Sequence, residues 1–213
     1  MSTRREILQA LIASIGASAV MPGLAASHPF GRHLADPMTL DQADAKAKEA
    51  SYKPEFLDRH QFETLQMLAE RIVPGSTRAK SAEFLDQLLA VESPDDQRSF
   101  LTALGMLEGQ ALARANRPWK QLSDADEVAI LTAASTMASG KPPARVWTKG
   151  DSLVVEGGTP QTPTLTLRDH FDLLKGWIAG AYYSSEIGMR ELGWTGNMFH
   201  RTYPGCEHPD GHG

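Results

Sequence analysis

In five stretches between residues 58 and 183 apolar residues recur every three or four positions, and several of these stretches carry start or stop signals. That spacing lines one side of an α-helix and gives a strand no consistent face. Phe62, Leu65, Leu68, Ala69 and Ile72 form the first stripe, predicting a helix from about Asp58 to Val73 that Pro74-Gly75 stops. Phe84, Leu85, Leu88 and Leu89 form a second, over Ser81 to Val91. Ser93-Pro94-Asp95-Asp96 then reads as a cap, a proline at the first helical position and acidic residues in the first turn. The helix it opens runs to about Arg114, with Phe100, Leu101, Leu104, Leu107 and Ala111 facing the core. Gly105 and Gly109 each weaken it by up to ~1 kcal/mol relative to Ala, so tertiary packing is expected to hold them. Ser123 caps a fourth helix, through Val128, Leu131 and Ala134 to about Ala138, with Gly140 as its end. Thr166, with Asp169 three residues on, caps a fifth, which carries Phe171, Leu174, Ile178 and Tyr182 on one face and ends near Tyr183-Ser184-Ser185.

The fold class is therefore all-α, a bundle of about five helices. Three other stretches depart from helical spacing. Residues 26–55 read as an extended lead-in, because His28-Pro29, Asp36-Pro37 and Lys53-Pro54 each hold the chain away from helix. Thr39 to Ser51 within it is polar and Ala-rich, a short surface helix at most, with little to bury. Arg145–Thr148 and Ser152–Val155 flank Lys149-Gly150-Asp151, the pattern of a small β-hairpin inserted on the helical body. From Gly188 onward glycines alternate with Met189, Trp194, Met198, Phe199 and Tyr203, which reads as an irregular aromatic, Gly-rich tail. The helical domain thus occupies residues 56–213.

The N-terminus obeys a different logic. Arg4-Arg5 stands just before Ile7-Leu8, a mild apolar run covers Ala10 to Val20, and small residues follow at Gly23-Leu24-Ala25-Ala26. Basic head, apolar middle and small-residue cleavage site are the three parts of a bacterial export signal. The Arg pair makes it resemble a twin-arginine (Tat) signal, the route for folded proteins. Residues 1–25 are assigned to it, with cleavage at Ala25/Ala26. The apolar run is too short and too polar for a spanning helix, which needs about 20 apolar residues. The expected location is the periplasm.

A folded-export signal raises the question of a cofactor, and the sequence offers no motif for one. There is no dinucleotide fingerprint, phosphate-loop lysine motif, nucleophile elbow or Cys-x-x-Cys-His. Asp95-Asp96 and Asp124/Asp126 stand at helix N-termini, where the helix dipole accounts for them without catalysis. Trp177, Tyr182 and Tyr183 line either a pocket or the core. His60 and His170 begin helices near polar faces. His200, Cys206, Glu207, His208, Asp210 and His212 are metal-ligand types, but a structural zinc site wants paired Cys/His spacings and the chain has one cysteine. A net charge of −5 without a basic stripe argues against nucleic acid.

Several segments resemble one known family. Phe62-Glu63-Thr64-Leu65 and Leu68-Ala69-Glu70-Arg71-Ile72-Val73-Pro74-Gly75 look like the opening helix of the gluconate 2-dehydrogenase subunit 3 family, and Phe84-Leu85-Asp86-Gln87-Leu88-Leu89 is similar to its next segment. Phe171-Asp172-Leu173-Leu174, Ala181-Tyr182-Tyr183-Ser184-Ser185, Gly188, Gly193-Trp194, Gly196-Asn197 and Tyr203-Pro204-Gly205-Cys206 resemble its C-terminal signature. The resemblance implies a small, non-catalytic, cofactor-free subunit that carries the Tat signal for a larger partner and stabilises it. That partner would be an FAD flavoprotein of the glucose–methanol–choline class acting on sugars, sugar acids or polyols. A multihaem cytochrome c would be a third subunit, and the membrane would be reached only through the complex. No catalytic residue transfers, because the family places catalysis on the partner. Tyr182, Tyr183, Trp194, Phe199 and Tyr203 are then candidate interface anchors, with wrapping of the helical body as the alternative. Cys206 is a candidate for a disulfide to the partner, with a buried free thiol as the alternative. Two other classes stay open: an independent periplasmic enzyme with a metal at the tail, and a soluble sugar- or cofactor-binding module.

Overall fold

Asp58 turns the chain into its first long helix by closing a capping box. Its carboxylate accepts from Gln61 N at 2.8 Å, and the Gln61 side chain accepts from Asp58 N at 3.0 Å. Such local signals set most boundaries in this computed structural model, which describes residues 33, 37–140 and 164–195. In chain order the helices are α1 (Pro37–Ala47), α2 (Arg59–Ile72), α3 (Ser81–Val91), α4 (Pro94–Ala115), α5 (Asp124–Thr136), α6 (Leu167–Tyr183) and α7 (Glu186–Glu191), with a 3-10 turn at Trp119–Gln121. The described residues contain no strand, so the fold is all-α; the predicted hairpin lies outside them. Five helices match the five predicted stripes. Ser93 and Ser123 cap α4 and α5 by accepting from Asp96 N and Asp126 N, each at 3.2 Å. Asn116, left-handed at φ 51°, ends α4.

The bundle is organised around α3. Phe84, Leu85, Leu88 and Leu89 are each 0% exposed, and the polar side of the same helix is buried too, at Glu83, Asp86 and Gln87. α2 and α6 pack on it, and α1 covers it from the N-terminal side through Leu40, Ala43 and Ala47. The short helix read within the lead-in is present, and two expectations about it are corrected: it has something to bury, and Pro37 does not hold the chain away from helix. Pro37 sits at its first position, where a proline costs no hydrogen bond, so the proline that argued against helix starts one.

Asp86 explains how a polar side of α3 can be inside. Its carboxylate accepts from the backbone N–H of Glu55, Phe56 and Leu57 at 2.7, 3.2 and 2.7 Å and from the Tyr52 hydroxyl at 2.5 Å. Tyr52 also donates to Glu83 O and accepts from Gln87 Nε2. Burial, followed by the bond to Asp86, drives the Tyr52 phenol well above its ordinary range. The 52–57 segment is thereby held against α3 by its own backbone, and Tyr52 stacks on Phe62 of α2 with ring centroids 5.6 Å apart.

α4 and α6 form the other main contact, with Phe100 meeting Trp177 edge-on at 5.9 Å. Trp177 therefore belongs to the core. His170 is also buried, a correction to its expected polar setting, because the first turn of α6 faces inward at Asp169 and His170. Gly140 has another role than ending α5, which already stops at Thr136. A Cβ on Gly140 would lie 1.9 Å from Thr164 O, so the chain at residue 140 touches the chain at residue 164. Asp169 clasps them, accepting from Gly140 N and Thr166 N at 2.8 Å each and from the Ser139 hydroxyl. These bonds, Ser139 foremost, hold its carboxyl far below the usual carboxylate range.

Replacing Asp86 by Ala orphans a buried N–H at Leu57 and cuts three more bonds. The expected cost is about 2–3 kcal/mol, seen as a lower urea midpoint at unchanged slope. Asp86→Asn, which keeps one acceptor oxygen, should lose distinctly less.

Candidate functional site

Two of the segments singled out in sequence, Glu70–Gly75 and Ala181–Gly188, meet in space. α2 ends in a turn closed by its own glutamate: Glu70 accepts from Gly75 N at 2.7 Å and Thr77 N at 2.8 Å. Those backbone donors, Gly75 first, hold the Glu70 carboxyl below its ordinary range. Gly75 is left-handed at φ +95°, and the Tyr182 hydroxyl lies 3.0 Å from where its Cβ would be. A side chain there would be strained by the backbone and would strike the phenol.

Tyr182 is the last inward residue of α6 and is 0% exposed. Its hydroxyl makes no hydrogen bond within normal geometry, although Arg78 and Glu191, an ion pair at 3.7 Å, stand near it. Burial first, and the Glu191 carboxylate second, push it up to about 12. Immediately after it the chain reverses. Ser185 Oγ donates to Tyr182 O at 2.5 Å and accepts from Gly188 N at 3.1 Å, which caps α7. A Cβ on Gly188 would fall 2.3 Å from Tyr182 O. The start of the predicted irregular tail is thus a short helix, folded back so closely that only glycine fits at its third position.

The candidate residues divide accordingly. Tyr182, on the shared apolar face of its helix by spacing and also a candidate interface anchor, is inside the body, wedged over Gly75. Tyr183 packs edge-on against it at 5.1 Å and is half-buried, as is Trp194, whose N–H donates to Met189 O at 3.0 Å. Leu192 between them is 62% exposed. Phe199, Tyr203, Cys206, Arg4, Arg5, Ile7, Leu8, Ala25 and Ala26 lie outside the described residues. The tail set of metal-ligand types lies there as well, and among the described residues no group of three or more His, Cys, Asp or Glu is placed to hold a metal. His60 pairs with Glu108 at 3.0 Å, and Glu108 also accepts from Trp119 N, so this histidine joins α2 to α4. Arg71 binds Glu127 at 2.5 Å and Asp124 at 2.7 Å, so the acidic start of α5 is taken up by α2.

One surface has no such account. Gly105 and Gly109 lie on the exposed side of α4, and a Cβ at either would meet nothing within 4 Å among the described residues. The packing expected to hold these glycines is not supplied by the described part of the chain. The same face carries Met106 and Leu112, 38% and 49% exposed, one and three positions along from them. Thr102 and Ala113, both exposed, extend it. Sequence reasoning found the two glycines but could not tell which way they point.

No described helix is long and apolar enough to cross a membrane. Residues 59–205 match the family model described as gluconate 2-dehydrogenase subunit 3. No curated protein and no solved structure matches.

Substituting Gly75 by Ala should cost about 1–2 kcal/mol through the left-handed backbone and the contact with the phenol. Tyr182→Phe removes a buried hydroxyl that lacks a partner and should be neutral or slightly stabilising. Combining the two should relieve part of the alanine's cost, which thermal unfolding of the four proteins reads as non-additivity.

Proposed function

The chain belongs to the gluconate 2-dehydrogenase subunit 3 family, and from that premise we propose that it is a non-catalytic small subunit that grips a larger dehydrogenase subunit through the exposed face of α4. The observation that supports this is the pair Gly105 and Gly109. On a solvated helix each glycine costs up to ~1 kcal/mol relative to Ala and returns nothing. Where a partner's backbone must come close, the absence of a side chain is what allows it. Met106 and Leu112 beside them supply apolar surface to bury, and Met adapts readily to an irregular partner surface.

The partner is a flavoprotein holding FAD and oxidising a CH–OH group of a sugar, sugar acid or polyol. A cytochrome c subunit accepts the electrons in complexes that have one. The small subunit carries the twin-arginine signal of residues 1–25, and the flavoprotein travels out bound to it. An export signal for folded proteins on a chain with no cofactor motif is consistent with this escort role. Both proteins then reside in the periplasm. Half-buried Tyr183 and Trp194, with Leu192, extend the grip toward the tail, where Cys206 is the residue able to form a bond to the partner in an oxidising compartment.

Two outcomes are expected. Gly105→Leu with Gly109→Leu leaves the isolated chain at least as stable as the parent, by thermal melt, because Leu is the better helix former. The same variant fails to co-purify the flavoprotein; retention of the complex at parental yield removes the α4 face from the interface. Separately, Arg4-Arg5→Lys-Lys keeps co-expressed dehydrogenase activity in the cytoplasm. Activity that still reaches the periplasm rules out the escort role.

A further inference from the structure

Met38, Met67, Met106 and Met137 are exposed methionines. Met106 differs from the others in place, because it stands on the α4 face proposed above to meet the dehydrogenase subunit. A long side chain on a helix leans over the turn before it. For Met106 that turn supplies Thr102 and Ala103, both small. Beside it are Gly105 and Gly109, where a Cβ would meet nothing within 4 Å among the described residues. The thioether thus leans over small residues and stands next to bare backbone, open to a solute as small as hydrogen peroxide. A thioether in that position is also the most oxidisable group the face presents, since its other exposed side chains, Thr102, Leu112 and Ala113, carry no sulfur.

We propose that Met106 is an oxidation site that switches this docking face: a peroxide converts its thioether to the sulfoxide, and the oxidised subunit no longer takes up its partner. The inference rests on the reading of α4 as the docking face and adds a control to it. The step is a two-electron oxygen transfer. The Sδ lone pair attacks one peroxide oxygen, an S–O bond forms and the O–O bond breaks. The other oxygen leaves as water with both protons, so sulfur is oxidised and hydrogen peroxide reduced with nothing further required. The product is polar where the thioether was apolar and adaptable. On the free helix, water solvates the new oxygen. Against a partner that oxygen must be stripped of water, which is unfavourable unless the partner happens to supply a donor. Oxidation therefore spares the fold, because the side chain is not part of the core, and acts on association. Docking covers the thioether, so the switch operates on subunit that has not yet docked. Sulfoxide reduction restores it.

The test exposes the purified chain, free and in complex with the flavoprotein, to hydrogen peroxide and follows each methionine by peptide mass spectrometry. Met106 should oxidise in the free chain and about tenfold more slowly in the complex. The oxidised free chain is then titrated with purified flavoprotein. Its affinity should fall about tenfold, return after treatment with methionine sulfoxide reductases, and fall with no change in the thermal melt of the chain itself. Every variant is compared with itself before and after peroxide. Met106→Leu should show no loss, whatever its starting affinity, while a chain with Met38, Met67 and Met137 all changed to Leu should lose affinity as the parent does. A Met106 that stays reduced in the free chain overturns the oxidation site. Complete oxidation of Met106 with unchanged affinity overturns the switch, and so does an equal loss in Met106→Leu. A lowered melt also overturns it, since oxidation would then act through the fold. Equal oxidation of Met106 in the free chain and the complex is a different result: it shows the face open in the complex, so the docking reading fails and the switch falls with it.

Discussion

A carboxylate buried on the central helix has to be met by donors, and Asp86 is met by a segment of backbone. Three consecutive N–H groups and a tyrosine hydroxyl converge on it, from residues that immediately precede α2. Consecutive amides can aim at one carboxylate only if the chain curls around it, so this interaction sets the course of residues 52–57. It also decides where α2 begins, since Asp58 follows directly as its cap. With that segment on one side of its polar face and α1 on another, α3 is enclosed almost all round. The remaining helices pack against it or against its apolar neighbours.

The same economy appears where the chain makes its tightest contacts. The turn after α2 is closed by Glu70 and roofed by Tyr182, and the turn after α6 is closed by Ser185 and relies on Gly188. Segments more than a hundred residues apart in sequence are thus one structural unit, in which Gly75 and Gly188 are both required by the position of Tyr182. This unit gives those residues a packing role that accounts for their looking like a signature. It is a joint, and what it positions is the short helix α7. Gly105 and Gly109 are of another kind: they lie on the exposed side of α4, and no neighbour among the described residues requires them.

Much of this was legible in advance. The five stripes, the serine caps at Ser93 and Ser123, and the stop at Pro74-Gly75 all use local interactions, which a sequence displays directly. Less was legible wherever a polar residue serves a distant one. Glu83, Asp86 and Gln87 look like the solvated side of an amphipathic helix, and only the return of residues 52–57 makes that side interior. The docking of the helix at Pro37–Ala47 was obscured because its composition is polar and Ala-rich, and three small contacts, Leu40, Ala43 and Ala47, suffice to dock it. For Tyr182 the sequence leaves core and interface both open, and His170 reads as near a polar face, because no local feature says which way the ends of α6 turn.

By itself, then, the sequence determined the helical class, the rough extents of five helices and the caps at Ser93 and Ser123, which rest on local periodicity and short hydrogen bonds, and its quoted segments carried the likeness to a dehydrogenase subunit. Tertiary structure alone decided that α3 lies at the centre, that Gly75 and Gly188 close on one tyrosine, and that Gly105 and Gly109 face outward. The division has a physical reason. Backbone preference and capping act over a few residues, whereas burial of a charge or the fit of a glycine depends on what another part of the chain brings to it.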